Sequence, residues 1–212
     1  MNYFLKRFLI QLTIMEKTIL GEDLEICRIL NGMWQVAGGH GQIDSQLAIQ
    51  DMEKYQKLGF TTWDLADIYG PAESLIGDFN KKDKYNFQAF TKFVPNPGPM
   101  SNSIVTYYIE ESLKKMNVKC IDLLQFHWWD YQDSSYLDAL QHLSKLQNEG
   151  KIKYLGLTNF DTKRIKIIIE KGFKIISNQV QFSILDQRPE KIMIPFFVKY
   201  GIQILSYGTL LG

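Results

Sequence analysis

The chain has 212 residues, with 24 basic against 23 acidic side chains and a net charge of +1. That length supports one large domain with a sizeable core. Near-neutral charge, with no basic run interleaved with aromatics, argues against nucleic acid as a partner, and no stretch reaches the roughly 18 to 20 apolar residues of a membrane span.

Met1 to Ile14 is apolar, with Lys6 and Arg7 and no acid. Gln11 breaks the run and no small-residue cleavage site follows. The segment therefore reads as an unstructured leader or a misplaced start, with Met15 as an alternative start. The domain is expected from residue 15 to residue 212.

Lys17 to Arg28 alternates around Gly21-Glu22-Asp23, which predicts a short β-hairpin. Ile29 to Trp34 predicts a strand. Gly38-Gly39-His40-Gly41 is a loop lacking the Lys-Ser/Thr or the GxGxxG spacing of a phosphate cradle. Asp44 can cap a helix whose Leu47, Ala48, Met52, Tyr55 and Leu58 keep helical spacing, and Gly59 ends it. Phe60 to Trp63 is β-branched and aromatic, a buried strand with Asp64 at its end. Tyr69 lies in the polar turn that follows, closed by Gly70-Pro71.

Alternation continues to the end. Helices are predicted for 71–79, 103–116, 137–146 and 192–200, and after the cap Asp161. Strands are predicted for 87–94, 120–127, 152–158, 175–181 and 202–207. Cys27 and Cys120 lie in apolar strand-like segments and read as reduced core residues of a cytoplasmic protein. Seven strands, apolar on both faces and separated by helices, predict a parallel sheet covered by helices. No Gly-rich dinucleotide fingerprint follows the first strand, which disfavours an open doubly wound sheet. An incomplete TIM (β/α)₈ barrel with an N-terminal hairpin and its last βα unit missing fits better. The open edges of such a barrel point to self-association.

Candidate catalytic groups fall at the carboxyl ends of successive strands: Asp64 with Tyr69, then Lys92, then His127. A closed barrel brings these ends to one mouth. Lys92 beside Tyr69 would lower the phenol's pKa, and Asp64 would hold that Lys charged. Tyr69 could then protonate a developing alkoxide while His127 orients the same oxygen. Taken singly, Asp64 could be a helix cap, Lys92 a surface lysine and His127 a packing residue. The ordered set is what favours chemistry. His40, His127 and His142 show no metal-ligand spacing.

Asp64-Leu65-Ala66-Asp67-Ile68-Tyr69-Gly70, Thr91-Lys92 and Gln125-Phe126-His127-Trp128 resemble the catalytic segments of the aldo-keto reductase family. The resemblance runs from about Glu16 to Gly212. It implies an oxidoreductase that reduces an aldehyde or ketone with NADPH, NADH not being excluded. Hydride would come from the nicotinamide C4, Tyr69 would be the general acid, Lys92 and Asp64 would tune it, and His127 would orient the carbonyl. By the same resemblance Met33, Asp64, Thr158, Asn159, Gln179 and Tyr207 hold the nicotinamide. Trp34 and Trp128, with Tyr69 and His127, line the substrate pocket; for both Trp residues ordinary core packing is the competing reading. Gly208-Thr209-Leu210 stands where the family often has Ser-Pro-Leu. The family continues past the last strand read here, through the segments that hold the pyrophosphate and adenosine. The alternatives are a barrel that binds or scaffolds without turnover, and a fragment of a longer reductase.

Overall fold

A computed structural model describes residues 15–39, 41, 43–82 and 86–210, so the leader at 1–14 lies outside the described residues. The chain opens with the expected antiparallel hairpin, β1 (Lys17–Leu20) and β2 (Leu24–Cys27). Strands and helices then alternate. They are β3 (Asn31–Gly32), α1 (Ser45–Lys57), β4 (Thr62–Asp64), α2 (Ala72–Asn80), β5 (Gln88–Phe93) and α3 (Asn102–Met116). There follow β6 (Ile121–His127), α4 (Tyr136–Asn148), β7 (Ile152–Thr158), α5 (Thr162–Glu170), β8 (Ser177–Gln181), α6 (Arg188–Tyr200) and β9 (Gln203–Tyr207). The strands β3 to β9 pair in parallel in chain order, each with the next. This is an incomplete (β/α)₈ barrel in which, among the described residues, β3 and β9 each have one sheet neighbour.

Local chemistry explains the helix starts. Asp44 accepts from the amides of Gln46 and Leu47 at 2.8 and 3.0 Å, and Asp161 accepts from Arg164 N at 2.8 Å. Each satisfies donors that the first helical turn leaves free. Gly77 is demanded by packing: a Cβ there would stand 1.9 Å from the Lys115 carbonyl oxygen, so α2 crosses α3 in backbone contact.

Alternation along the strands divides two cores. Leu124, Phe126, Leu155 and Leu157 face outward under the helices with Ile109, Leu140, Leu143 and Ile165. Phe90, Leu123, Tyr154, Ile176 and Leu205 share a cluster with the hairpin residues Leu20, Leu24 and Ile26. The hairpin is thus a floor to the barrel. It is tied there by Gln203, which accepts from Gly21 N at 2.8 Å and donates to Ile19 O at 2.9 Å. With the floor packed by apolar side chains, polar groups at the opposite strand ends are left to line the mouth.

Three expectations are corrected. The first barrel strand is only Asn31–Gly32, because Met33 N turns to the Asp64 carbonyl at 2.9 Å and Trp34–Ala37 wind into a 3₁₀ turn. In α1 only Met52 is buried, while Leu47 and Tyr55, with Leu58 just past its end, stay exposed. Cys120 is exposed just before β6, whereas Cys27 is a buried free thiol that accepts from Thr61 N at 3.2 Å. Among the described residues no helix is long and apolar enough to cross a membrane.

Candidate active site

The loop after β4 is stitched to its neighbour strand. Leu65 N donates to Phe90 O at 2.9 Å, Asp67 N to Lys92 O at 3.0 Å, and Val94 N to Asp67 Oδ2 at 3.1 Å. Tyr69 N then closes a turn onto Ala66 O at 3.0 Å. These bonds fix where Tyr69 emerges relative to Lys92, two strands' ends that sequence alone leaves unrelated.

Asp64 and Lys92 form a buried pair, with Lys92 Nζ 2.8 Å from Asp64 Oδ2 and 3.0 Å from Leu65 O. Two more donors complete the carboxylate: Gln125 Nε2 at 2.6 Å on Oδ1 and Gln179 Nε2 at 3.0 Å on Oδ2. Both oxygens of the buried carboxylate are thus met by donors. The Lys92 ammonium also lies 5.0 Å from the centroid of the Tyr69 ring. The edge of Trp34 meets that ring at 5.1 Å between centroids.

The electrostatics correct one expectation. Burial pushes the Tyr69 phenol above its ordinary value; Lys92 pulls it back and Asp64 opposes Lys92. Burial wins, so the hydroxyl is protonated at neutral pH. His127, at the end of β6, is pushed down to about 4 by burial and by the Lys92 charge, so its imidazole is neutral. The ring lies against Trp129 at 4.3 Å.

These groups face a cavity of about 600 Å³ at the barrel mouth. Met33, Trp34, Asp64, Tyr69, Lys92 and His127 line it, together with Thr158, Asn159, Gln179 and Tyr207. Asn159 has a left-handed backbone, with φ 61°. Its side-chain oxygen accepts from Tyr207 OH at 3.1 Å, tying the end of β7 to that of β9. The buried Thr158 hydroxyl has no protein partner.

Trp128 is not part of this cavity. It is fully buried under the helices, and its indole donates to the carbonyls of Asp130 and Asp133 at 2.7 and 3.1 Å. The strand ends at His127, and the next residue turns into the helical layer. Trp129, 58% exposed, takes the pocket position instead. Adjacent Trp residues gave no sequence signal for which faces in. Gln125 and Ile68, though inside the motif segments, and Val94 carry no role that the sequence assigns. Alternation did carry a signal for Gln125, which shares a face of β6 with His127.

A model of the aldo/keto reductase family matches residues 28–212. The chain belongs to the aldo/keto reductase family. Among curated relatives of this aldo/keto reductase, the NADH-specific methylglyoxal reductase of Escherichia coli (strain K12) is 25% identical over 224 residues, 92% of this chain and 68% of that protein. The 6-dehydroglucose reductase of Agrobacterium fabrum is 28% identical over 193 residues, 81% of this chain and 63% of that protein. The solved aldo-keto reductase AKR11C1 from Bacillus halodurans, a holo form, matches with a TM-score of 0.78 and 25% identity over 92% of this chain and 66% of its own. The thermostable aldo-keto reductase Tm1743, solved with the inhibitor epalrestat, matches at 0.79 and 25% over 91% and 72%. This chain spans 52% to 68% of the length of the curated relatives it matches.

Proposed function

We propose that this aldo/keto reductase reduces an aldehyde or ketone to the alcohol, with Tyr69 as the general acid. The observation that carries the reading is the Asp64–Lys92 pair: a satisfied, buried ion pair set against a protonated phenol that faces a cavity. Lys92 steadies the negative charge that grows on the phenolic oxygen as its proton leaves, and Asp64 fixes Lys92 for that task. His127, being neutral, can offer an N–H to the same carbonyl oxygen without adding net charge to the pocket.

The residues present fit a nicotinamide. Thr158 brings a buried, unpartnered hydroxyl; Asn159 and Gln179 bring amides beside it; the half-exposed ring of Tyr207 flanks the cavity. When bound, the nicotinamide supplies the hydride that adds to the carbonyl carbon. Gln179 commits its amide nitrogen to Asp64, so its amide oxygen is the group left to accept from a carboxamide. NADPH is the cofactor expected from the family resemblance. A relative named NADH-specific keeps both cofactors in the test.

The substrate side is walled by Trp34, Ile68, Val94 and Trp129. Those walls favour carbonyls carried on apolar or aromatic groups. Oxidation of NADPH and of NADH by a panel of aromatic and aliphatic aldehydes tests the proposal. Aldehyde-dependent oxidation lost on Tyr69→Phe supports it. No turnover with either cofactor, despite cofactor binding, favours a barrel that binds without reacting.

A further inference from the structure

We propose that Gln125 is a positioning residue: it holds the Asp64 carboxylate in the orientation that keeps Lys92 beneath Tyr69. The inference rests on the reading of Tyr69 as general acid and adds to it a residue that touches no reacting atom.

Three observations carry it. Gln125 is fully buried, and its Nε2 lies 2.6 Å from Asp64 Oδ1. A carboxylate only accepts, so the amide nitrogen must face Asp64 and the amide oxygen must point away. That oxygen is buried without a protein partner. The strand register shows why. Gln125 stands beside Lys92 on one side and Gly156 on the other, and Gly156 has no side chain to answer it. Nor could another residue easily stand there, since a Cβ at Gly156 would meet Ser177 Oγ at 2.4 Å.

A buried amide with one side satisfied and the other orphaned is a poor choice for stability alone. An apolar residue of similar length would fill the place without an unpaired acceptor. What the apolar residue would lack is the donor to Oδ1. The other two side-chain donors, Lys92 and Gln179, both meet Oδ2. Gln125 is therefore the side-chain donor that pins the second oxygen, and with it the rotation of the carboxylate about its own bond. Freed of it, Asp64 can turn and take Lys92 with it.

The test uses the 212-residue chain with Gln125→Met and Gln125→Glu, each measured for thermal midpoint, for kcat and KM across pH with NADPH and a turned-over aldehyde, and by crystallography. Gln125→Met should keep or raise the midpoint, lower kcat by roughly 10- to 100-fold and leave KM little changed. Gln125→Glu sets a carboxyl against Asp64. It should be slow at alkaline pH and recover as pH falls, because the protonated acid regains an O–H donor; the wild-type chain should show no such recovery. A filler role predicts the reverse: a lowered midpoint with kcat intact, and a Gln125→Glu profile parallel to wild type. Either result overturns the proposal. If the wild-type chain turns over no aldehyde, the functional reading fails by itself. The crystal structure of Gln125→Met then decides: an Asp64 carboxylate rotated away from Lys92 supports positioning, and an unmoved one refutes it.

Discussion

Replacing Lys92 by Met breaks the ion pair at its centre while nearly preserving volume. The Lys92 and Asp64 side chains are 3% and 13% exposed. The loss leaves a buried carboxylate with two amide donors and strips the Leu65 carbonyl of its 3.0 Å partner. Leaving one member of a buried pair uncompensated costs about 3–5 kcal/mol. Lys54→Met is the control. Its partner Asp51 is 2.7 Å away, but the two side chains are 71% and 61% exposed, so no measurable loss is expected. Urea unfolding of both variants measures the difference. Adding Asp64→Asn to Lys92→Met removes the stranded charge and should restore more than half of the lost stability, while carbonyl reduction stays abolished. A loss below about 1 kcal/mol for Lys92→Met, or a double variant less stable than the single, would refute the picture of a buried pair.

Further outcomes follow from single features. Burial pushes Asp67 up to about 6, so the folded state holds this proton more tightly than the unfolded chain, and stability falls as pH rises from about 4 to about 6. Asp67→Asn keeps an acceptor for Val94 N and should gain up to about 3 kcal/mol above pH 7 and nothing below pH 4, by denaturation at each pH. Trp129→Ala should raise KM for bulky aldehydes with the fold intact, whereas Trp128→Ala, in the buried layer, should cost about 3–5 kcal/mol of stability. Gly77→Ala should lower stability by about 1–3 kcal/mol despite alanine's better helix propensity, because the new methyl meets the backbone of α3.

Much of the barrel was written locally. Asp44 and Asp161 cap where they were expected to, and Ile152 to Thr158 is a strand over the full predicted span. The order of the seven strands followed because parallel neighbours need crossover helices, and the sequence alternates accordingly. Asp64, Lys92 and His127 reach one cavity for the same reason, being at strand ends, and the turn after β4 brings Tyr69 to them. What stayed hidden depends on contacts between distant segments. Met33 bonding to Asp64 O shortens β3 and sends Trp34 into a turn, which no local pattern encodes. The apolar positions Leu47 and Tyr55 of α1 keep helical spacing yet stay about half exposed, Tyr55 even with its ring edge against Phe60 and Trp63, so spacing alone does not report depth of burial. The Tyr69 phenol moves up where a lysine neighbour alone argued down, because burial cannot be read from spacing.

The central claim is that the Tyr69 hydroxyl supplies the proton. Tyr69→Phe keeps the ring that meets Trp34 and removes that oxygen alone. The decisive measurement pairs the rate of aldehyde-dependent NADPH oxidation with NADPH binding, followed by tryptophan fluorescence, in the wild-type and Tyr69→Phe chains. The rate in Tyr69→Phe should fall by roughly 10² to 10⁴-fold with binding nearly unchanged. Turnover near the wild-type rate in Tyr69→Phe would contradict it.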